Sequence, residues 1–203
     1  MANVNMPPTA QKAITDRERP LMEATLRLIG RNGLDGVTHR AVAAEAGMSL
    51  GAITHHFATR DILVDAALRF ALTREVGRLR ALALSLQSKA FDADAWIHSL
   101  VGWYSEELKT QPEIHIACYE AFLAAARSER HRFIVAEWFD TWWQSAELAL
   151  RAAGSSEPRG HADLFVSTLI GILLQQLATP RRSFRQEAKA TLTKLVSALV
   201  AKG

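Results

Sequence analysis

Apolar residues recur along this 203-residue chain at three- and four-residue intervals. That is the spacing of one helix face, and no stretch sustains the alternation of a half-buried strand. Leu21, Ala24, Thr25, Leu28 and Ile29 fall at i, i+3, i+4, i+7 and i+8, which predicts a first helix from about Asp16 to Arg31, ended at Asn32-Gly33. Thr38 and Ser49 are helix-capping types, and each precedes a short helix: Thr38–Ala46, with Val42, Ala43 and Ala46 inward, and Leu50–His56, with Ile53 and Phe57 reaching the same small core. Gly47 breaks the chain between them. Thr59 caps a fourth helix in which Ile62, Leu63, Ala66, Ala67 and Phe70 share a face, and which extends as far as Ser88. Five more helices are predicted at Ala93–Thr110, Glu113–Ser128, Arg130–Ala153, His161–Ala178 and Phe184–Ala201. Pro112, Gly154 with Pro158, and Pro180 stand between them as breakers. The expected fold is all-α with about nine helices: an arm over residues 1–13, a small head over 14–60 and a body over 61–203.

Composition narrows the class. Hydrophobic residues are 49% and charged residues 22% of the chain, an ordinary globular balance that argues against wholesale disorder. The single cysteine excludes a disulfide framework or a cysteine-rich zinc module. The net charge of +3 is too small to mark a nucleic-acid binder by bulk, so any such function needs basic groups placed on one face. The opening MANVNMPPTAQKA has no apolar run of the secretory kind. The uncharged stretch Leu164–Pro180 is interrupted by Ser167, Thr168, Gln175 and Gln176 and falls short of the ~20 apolar residues of a spanning helix. A cytoplasmic protein is expected.

Thr38 to Phe57 has the plan of a helix-turn-helix, with the second helix positioned for the major groove. Both helices are too short to be stable alone, so the first and fourth helices must serve as their platform. Gly47 suits the positive φ of a tight interhelical turn. The outer face of the second helix presents Leu50, Gly51, Ala52, Thr54 and His55. Small side chains there permit close approach to base edges, and Thr54 and His55 can reach phosphate or base oxygens. His56 is expected beside Phe57, capping the core.

The run AVAAEAGMSLGAITHHFATRDIL, Ala41 to Leu63, resembles the tetracycline-repressor (TetR) family of transcriptional regulators. It matches that family's A-x-x-A-G-(apolar)-S-x-G-x-(apolar)-x-x-(H/Y)-F-x-x-(K/R)-(D/E)-x-L pattern at every fixed position, and the resemblance extends from the first helix to about Phe70. It implies a DNA-binding set: Thr38 capping the second helix and touching phosphate, Arg40 beside it, Ser49 capping the recognition helix, Leu50, Gly51 and Ala52 at the bases, His55 at a phosphate and Arg60 gripping phosphate. The chain departs from the family at Thr54, where tyrosine is common and would reach further. A cation such as Arg60 in a first helical turn is opposed by the helix dipole, whereas an incoming phosphate would meet both orphan N–H groups and the guanidinium. The alternative for Arg60 is a solvated arginine offset by Asp61. Lys12, Arg17 and Arg19 in the arm fit either DNA backbone contact or a solvated tail.

All five tryptophans and both tyrosines lie beyond this motif, as if the body housed a separate, aromatic-lined pocket. The resemblance implies a small-molecule site there. The candidates at helical spacing are Trp103, Tyr104, His115, Cys118, Tyr119, Phe122, Trp138 and Trp142, with ordinary core packing as the alternative. The last two helices read as a homodimer surface built from Leu164, Phe165, Leu169, Leu173, Leu192, Leu195, Val196 and Leu199, with intrachain core as the alternative; a two-fold dimer suits a palindromic double-stranded operator. His115 and Cys118, three apart near Glu113, lack the further ligands a zinc site needs, so no metal and no cofactor is expected. Nucleophile-elbow, Walker and dinucleotide fingerprints are absent, which argues against an enzyme. The expected function is a repressor released from its operator by a small effector; the alternatives are an activator with the same head, or a ligand-binding helical protein that has lost DNA binding.

Overall fold

The computed structural model describes residues 18–86 and 91–201. The arm, with Lys12 and Arg17, and the expected helix end near Ser88 lie outside the described residues. Among the described residues there are nine α-helices and no strand: α1 (Arg19–Asn32), α2 (His39–Ala46), α3 (Leu50–His56), α4 (Arg60–Leu86), α5 (Ala93–Thr110), α6 (Pro112–Arg127), α7 (Glu129–Ala152), α8 (Pro158–Ala178) and α9 (Phe184–Val200). Two of the prolines taken as breakers are used differently. Pro112 and Pro158, together with Pro20, sit in the first turns of α6, α8 and α1, where a missing N–H breaks no helical bond.

The local signals around the motif act as caps. The Thr38 hydroxyl accepts from the Ala41 N–H at 3.1 Å and the Ser49 hydroxyl from the Ala52 N–H at 3.2 Å, each satisfying an orphan donor. Gly47 closes α2 in the left-handed conformation at φ 64°, a geometry that side chains disfavour. Leu34–Gly36 forms a 3-10 turn in the link between α1 and α2.

Two cores result. The first joins Leu21, Met22, Leu26 and Ile29 of α1 to Val42, Ile53 and Leu63 of α2–α4, and it continues into Ala117, Ala121 and Ala125 of α6 and Ile134, Val135 and Trp138 of α7. The head is therefore packed onto the body rather than sealed at α4. This explains why α1 buries Met22 and Leu26 as well as the predicted stripe. Ile62, expected inward, is exposed on α4 while Leu63 is buried. The second core joins Trp96, Ile97, Leu100 and Tyr104 of α5 to Phe165, Leu169 and Leu173 of α8 and Leu192, Val196 and Leu199 of α9.

This second core corrects the dimer expectation. Phe165, Leu169, Leu173, Leu192, Val196 and Leu199 are buried within the chain itself, so they are unavailable to a partner. Leu195 is partly buried against the same core. Leu164, at 53% exposure, and Leu174, at 48%, form the outward apolar positions of α8. Counted from Pro158, α8 is long and apolar enough to cross a membrane by length and composition; here its buried face is core shared chiefly with α7, and with α9 and α5.

α1 packs most extensively against α6, and the approach is closest at Gly30. A Cβ there would collide with the Glu113 carbonyl, a backbone group that has no rotamer to yield. Gly30→Ala is expected to lower stability by about 1–3 kcal/mol through overpacking. Gly77→Ala on α4, where nothing lies within 4 Å of the added methyl, is expected to be neutral or stabilising by up to ~1 kcal/mol. Thermal and urea denaturation of the two variants measure the difference.

Candidate functional site

The outward face of the helix-turn-helix is built from side chains that the fold does not use. Thr38, Arg40, Ser49, Leu50, Gly51, Thr54 and His55 are exposed and Ala52 is half-buried, while Ile53 and Phe57 anchor α3 from beneath. Gly51 stands in α3 with nothing within 4 Å of where a Cβ would be. Glycine is a poor helix former, and among the described residues no contact requires it at this first-turn position. The Thr54 hydroxyl donates back along its own helix to the Leu50 carbonyl at 3.2 Å. Among the described residues Arg40 makes no ion pair, whereas Arg27 and Arg31 both pair with Glu45, at 2.8 and 2.5 Å.

Arg60 and His56 also make contacts within the chain. The Arg60 Nε donates to the Val37 carbonyl at 2.9 Å, another guanidinium nitrogen donates to the Leu34 carbonyl, and a third contact reaches Asp61 at 3.2 Å. The Leu34 carbonyl also accepts from the Val37 N–H in the 3-10 turn at 3.2 Å, and with these bonds Arg60 clamps the start of α4 to the link before α2. His56 is exposed, with Nδ1 3.4 Å from the buried Glu18 carboxylate, tying α3 to the chain just before α1. His39 Nε2 lies 2.8 Å from the Phe57 carbonyl, joining the start of α2 to the end of α3.

The body holds a cavity between α4, α5, α6, α7 and α8. Tyr104, His115, Cys118, Tyr119, Phe122, Trp138 and Trp142 of the expected set line it. Trp103 does not: it stacks beside Tyr104 with ring centroids 4.3 Å apart and lies under the Arg78 guanidinium at 4.9 Å. The walls are close together, leaving about 40 Å³ of free space, room for about three water molecules. Phe122 contacts Tyr119, Trp138 and Trp142 edge-on at 5.6, 5.8 and 6.2 Å. The Tyr119 hydroxyl donates to the Ile170 carbonyl at 2.7 Å, which links α6 to α8.

Four charged lining residues, Arg74, Glu75, Arg78 and Glu107, were absent from the expected set. The legible sign was Glu75 itself, a carboxylate in helical register with Leu68, Ala71, Leu72 and Leu79. Glu107 is the hub of an ion cluster: Arg78 pairs with it, His115 Nε2 lies 3.2 Å away and Arg74 3.6 Å away. Burial alone would raise the Glu107 pKa; the hydrogen bonds from His115 and Arg78 outweigh it and hold the group at about 2. Glu75 has neutral partners instead. Its Oε1 accepts from the Tyr104 hydroxyl at 2.7 Å and the Trp142 indole at 3.0 Å. Burial raises its pKa despite those bonds. Burial, followed by the Glu75 charge, also raises the Tyr104 and Cys118 values, which leaves the thiol protonated and unreactive.

A carboxyl held low stabilises the fold above its unfolded pKa, and that stability is lost as pH falls toward the folded value. Stability is therefore expected to drop by about 3 kcal/mol between roughly pH 4.5 and pH 2 from Glu107 alone. In Glu107→Gln this contribution to the acid limb should be missing when urea unfolding is followed across that range. Glu75 has the opposite sign: its folded pKa is raised, so its contribution is lost as pH rises. Glu75→Gln is expected to melt no lower than the parent at alkaline pH.

With both surfaces described, comparison with known proteins is informative. Residues 21–67 match the family model "Bacterial regulatory proteins, tetR family", and residues 91–201 match "Tetracyclin repressor-like, C-terminal domain". The HTH-type transcriptional regulator PksA of Bacillus subtilis is 37% identical over 68 residues, covering 34% of this chain and 33% of that protein. The match thus spans about a third of that relative's length. Solved structures resemble the chain along most of its length. A TetR-family member from Streptomyces coelicolor is 31% identical with a TM-score of 0.71, covering 89% of this chain and 98% of that one. The multidrug binding protein EbrR, complexed with ethidium, is 34% identical with a TM-score of 0.61, covering 89% and 98%. The chain belongs to the TetR family of bacterial transcriptional regulators.

Proposed function

We propose that this protein is a dimeric transcriptional repressor that leaves a palindromic operator when a small molecule enters the body cavity. The observation that carries the DNA-binding half is Gly51. An exposed glycine in the first turn of a seven-residue helix, unneeded by any contact among the described residues, suits a surface against which something docks closely. Thr38, Ser49 and the α3 N-terminus offer hydroxyls and orphan N–H groups to phosphate, and Arg40 is the placed cation. Leu50, Gly51, Ala52, Thr54 and His55 face the groove. Arg60 contributes chiefly by fixing the pose of α2 against α4.

The release half rests on α6, which has two working faces. Ile114, His115, Cys118, Tyr119 and Phe122 line the cavity, while Ala117, Ala121 and Ala125 belong to the core shared with α1. An organic effector is too large for the present free space, so its entry must separate the rings and displace α6. The displacement passes to α1 through the close approach at Gly30. EbrR has been crystallised with proflavin, ethidium and malachite green, which supports a flat organic effector here. Coupling is reciprocal, so operator DNA weakens effector binding by the factor that effector weakens DNA binding. The dimer uses the outer stripe of α8, Leu164, Gly171 and Leu174, with the exposed face of α9 around Thr191 and Ala198.

Fluorescence anisotropy with the DNA upstream of the protein's own gene tests the head. Saturable binding is expected, and Gly51→Ala is expected to weaken it by about tenfold, roughly 1.4 kcal/mol, with stability unchanged or higher. Equal affinity of parent and variant would overturn the assignment. Sedimentation tests the dimer: Leu164→Lys with Leu174→Lys should convert it to folded monomers, and an unchanged dimer would place the interface elsewhere.

A further inference from the structure

The cavity contains two carboxylates in very different states. Glu107 is surrounded by cations: Arg78, Arg74 and His115 all lie within ion-pair distance. The two arginines are turned toward it and toward ring faces, Arg78 over Trp103 at 4.9 Å and Arg74 over Phe70 at 5.9 Å. Both guanidiniums are thus engaged by Glu107 and by a ring rather than left open to the cavity.

Among the described residues Glu75 makes no ion pair, although the charge of His115 acts on it. Both of its donors, the Tyr104 hydroxyl and the Trp142 indole, are neutral and converge on Oε1. Beside it stand Trp142 and, in edge contact with that ring, Phe122, which also touches Tyr119 and Trp138. A carboxylate in apolar surroundings without a counter-charge costs free energy. Aromatic faces attract a cation in the same place. The fold therefore places a carboxyl group with neutral hydrogen-bond donors among ring faces, while the lining arginines are directed at Glu107.

We infer that the cavity takes a flat organic monocation and that Glu75 reads its charge, with the ring cluster stacking on its body. This deepens the proposed effector site and rests on that reading. Entry of a single positive charge supplies the partner that Glu75 lacks, whereas a neutral ring of the same shape gains only the stacking, and an anion meets Glu75 with no free arginine to offset it.

The test uses three probes of one ring shape: N-methylacridinium, a fixed cation; acridine, at an alkaline pH where it is uncharged; and acridine carboxylate. Each is titrated into the full-length protein without DNA, with binding followed by probe fluorescence and calorimetry. N-methylacridinium should bind tightest and acridine carboxylate weakest. Glu75→Gln should weaken N-methylacridinium by about thirtyfold or more, the effect of removing one partner of a buried charge pair, and leave acridine unchanged. The unchanged acridine affinity shows that the variant cavity is intact. Three results would each overturn the inference: undiminished N-methylacridinium binding by Glu75→Gln, tightest binding of the carboxylate by the parent, or no binding of the cation at all. Operator binding, measured separately on the same preparations, reports on the repressor reading: loss of cation binding with operator binding intact refutes only the effector class, and loss of operator binding in the parent refutes the regulator.

Discussion

The contact between Gly30 on α1 and the Glu113 backbone on α6 is the constraint on which the arrangement of the molecule depends. Side chains at a helix crossing can change rotamer and absorb motion, but two backbones in contact cannot. The crossing is flanked by Ala117, Ala121 and Ala125, all buried, so α6 presents small groups along the side that belongs to the first core. The head is thus held on the body by a short, stiff contact. In the proposed release, that stiffness lets a helix whose other face lines the cavity act on the outward face of the head. α4 has a complementary part. It starts at the Arg60 clamp on the α1–α2 link, and further along it carries Arg74, Glu75 and Arg78 into the cavity.

The cavity shows how a binding site and a stable fold pull against each other. Glu107 is paired with every nearby cation and stabilises the chain at ordinary pH. Glu75, on α4 in the same cavity, has neutral donors, and burial opposes its charge. Sites that depart from the best local arrangement are where function is expected, and within this cavity Glu75 is that departure. The aromatic rings are nearly closed upon one another, leaving only about 40 Å³ of free space.

Much of the head was legible because its determinants are local. Thr38, Ser49 and Gly47 act within three or four residues of themselves, and spacing alone reveals such caps and turns. The cavity set was legible for a similar reason: His115, Cys118, Tyr119 and Phe122 share one face of α6 whatever it packs against. What escaped the sequence depended on tertiary partners. Arg60 has the look of an outward cation, and only the fold brings the Val37 and Leu34 carbonyls to it. Trp103 and Tyr104 are neighbours in sequence, yet only Tyr104 turns to the cavity. In α8, apolar on nearly every side, spacing could not tell which face α7, α9 and α5 would cover. It therefore named Phe165, Leu169 and Leu173, which are interior, together with Leu164, which is not.

The central claim is that α6 carries the signal from the cavity to the head through α1. Hydrogen–deuterium exchange of the full-length protein, with and without saturating N-methylacridinium, tests it most directly. The expected result is a change in amide protection in both 112–127 and 19–32, the two sides of the Gly30 contact. A change confined to the cavity helices, with 19–32 unaltered at saturation, would contradict the account.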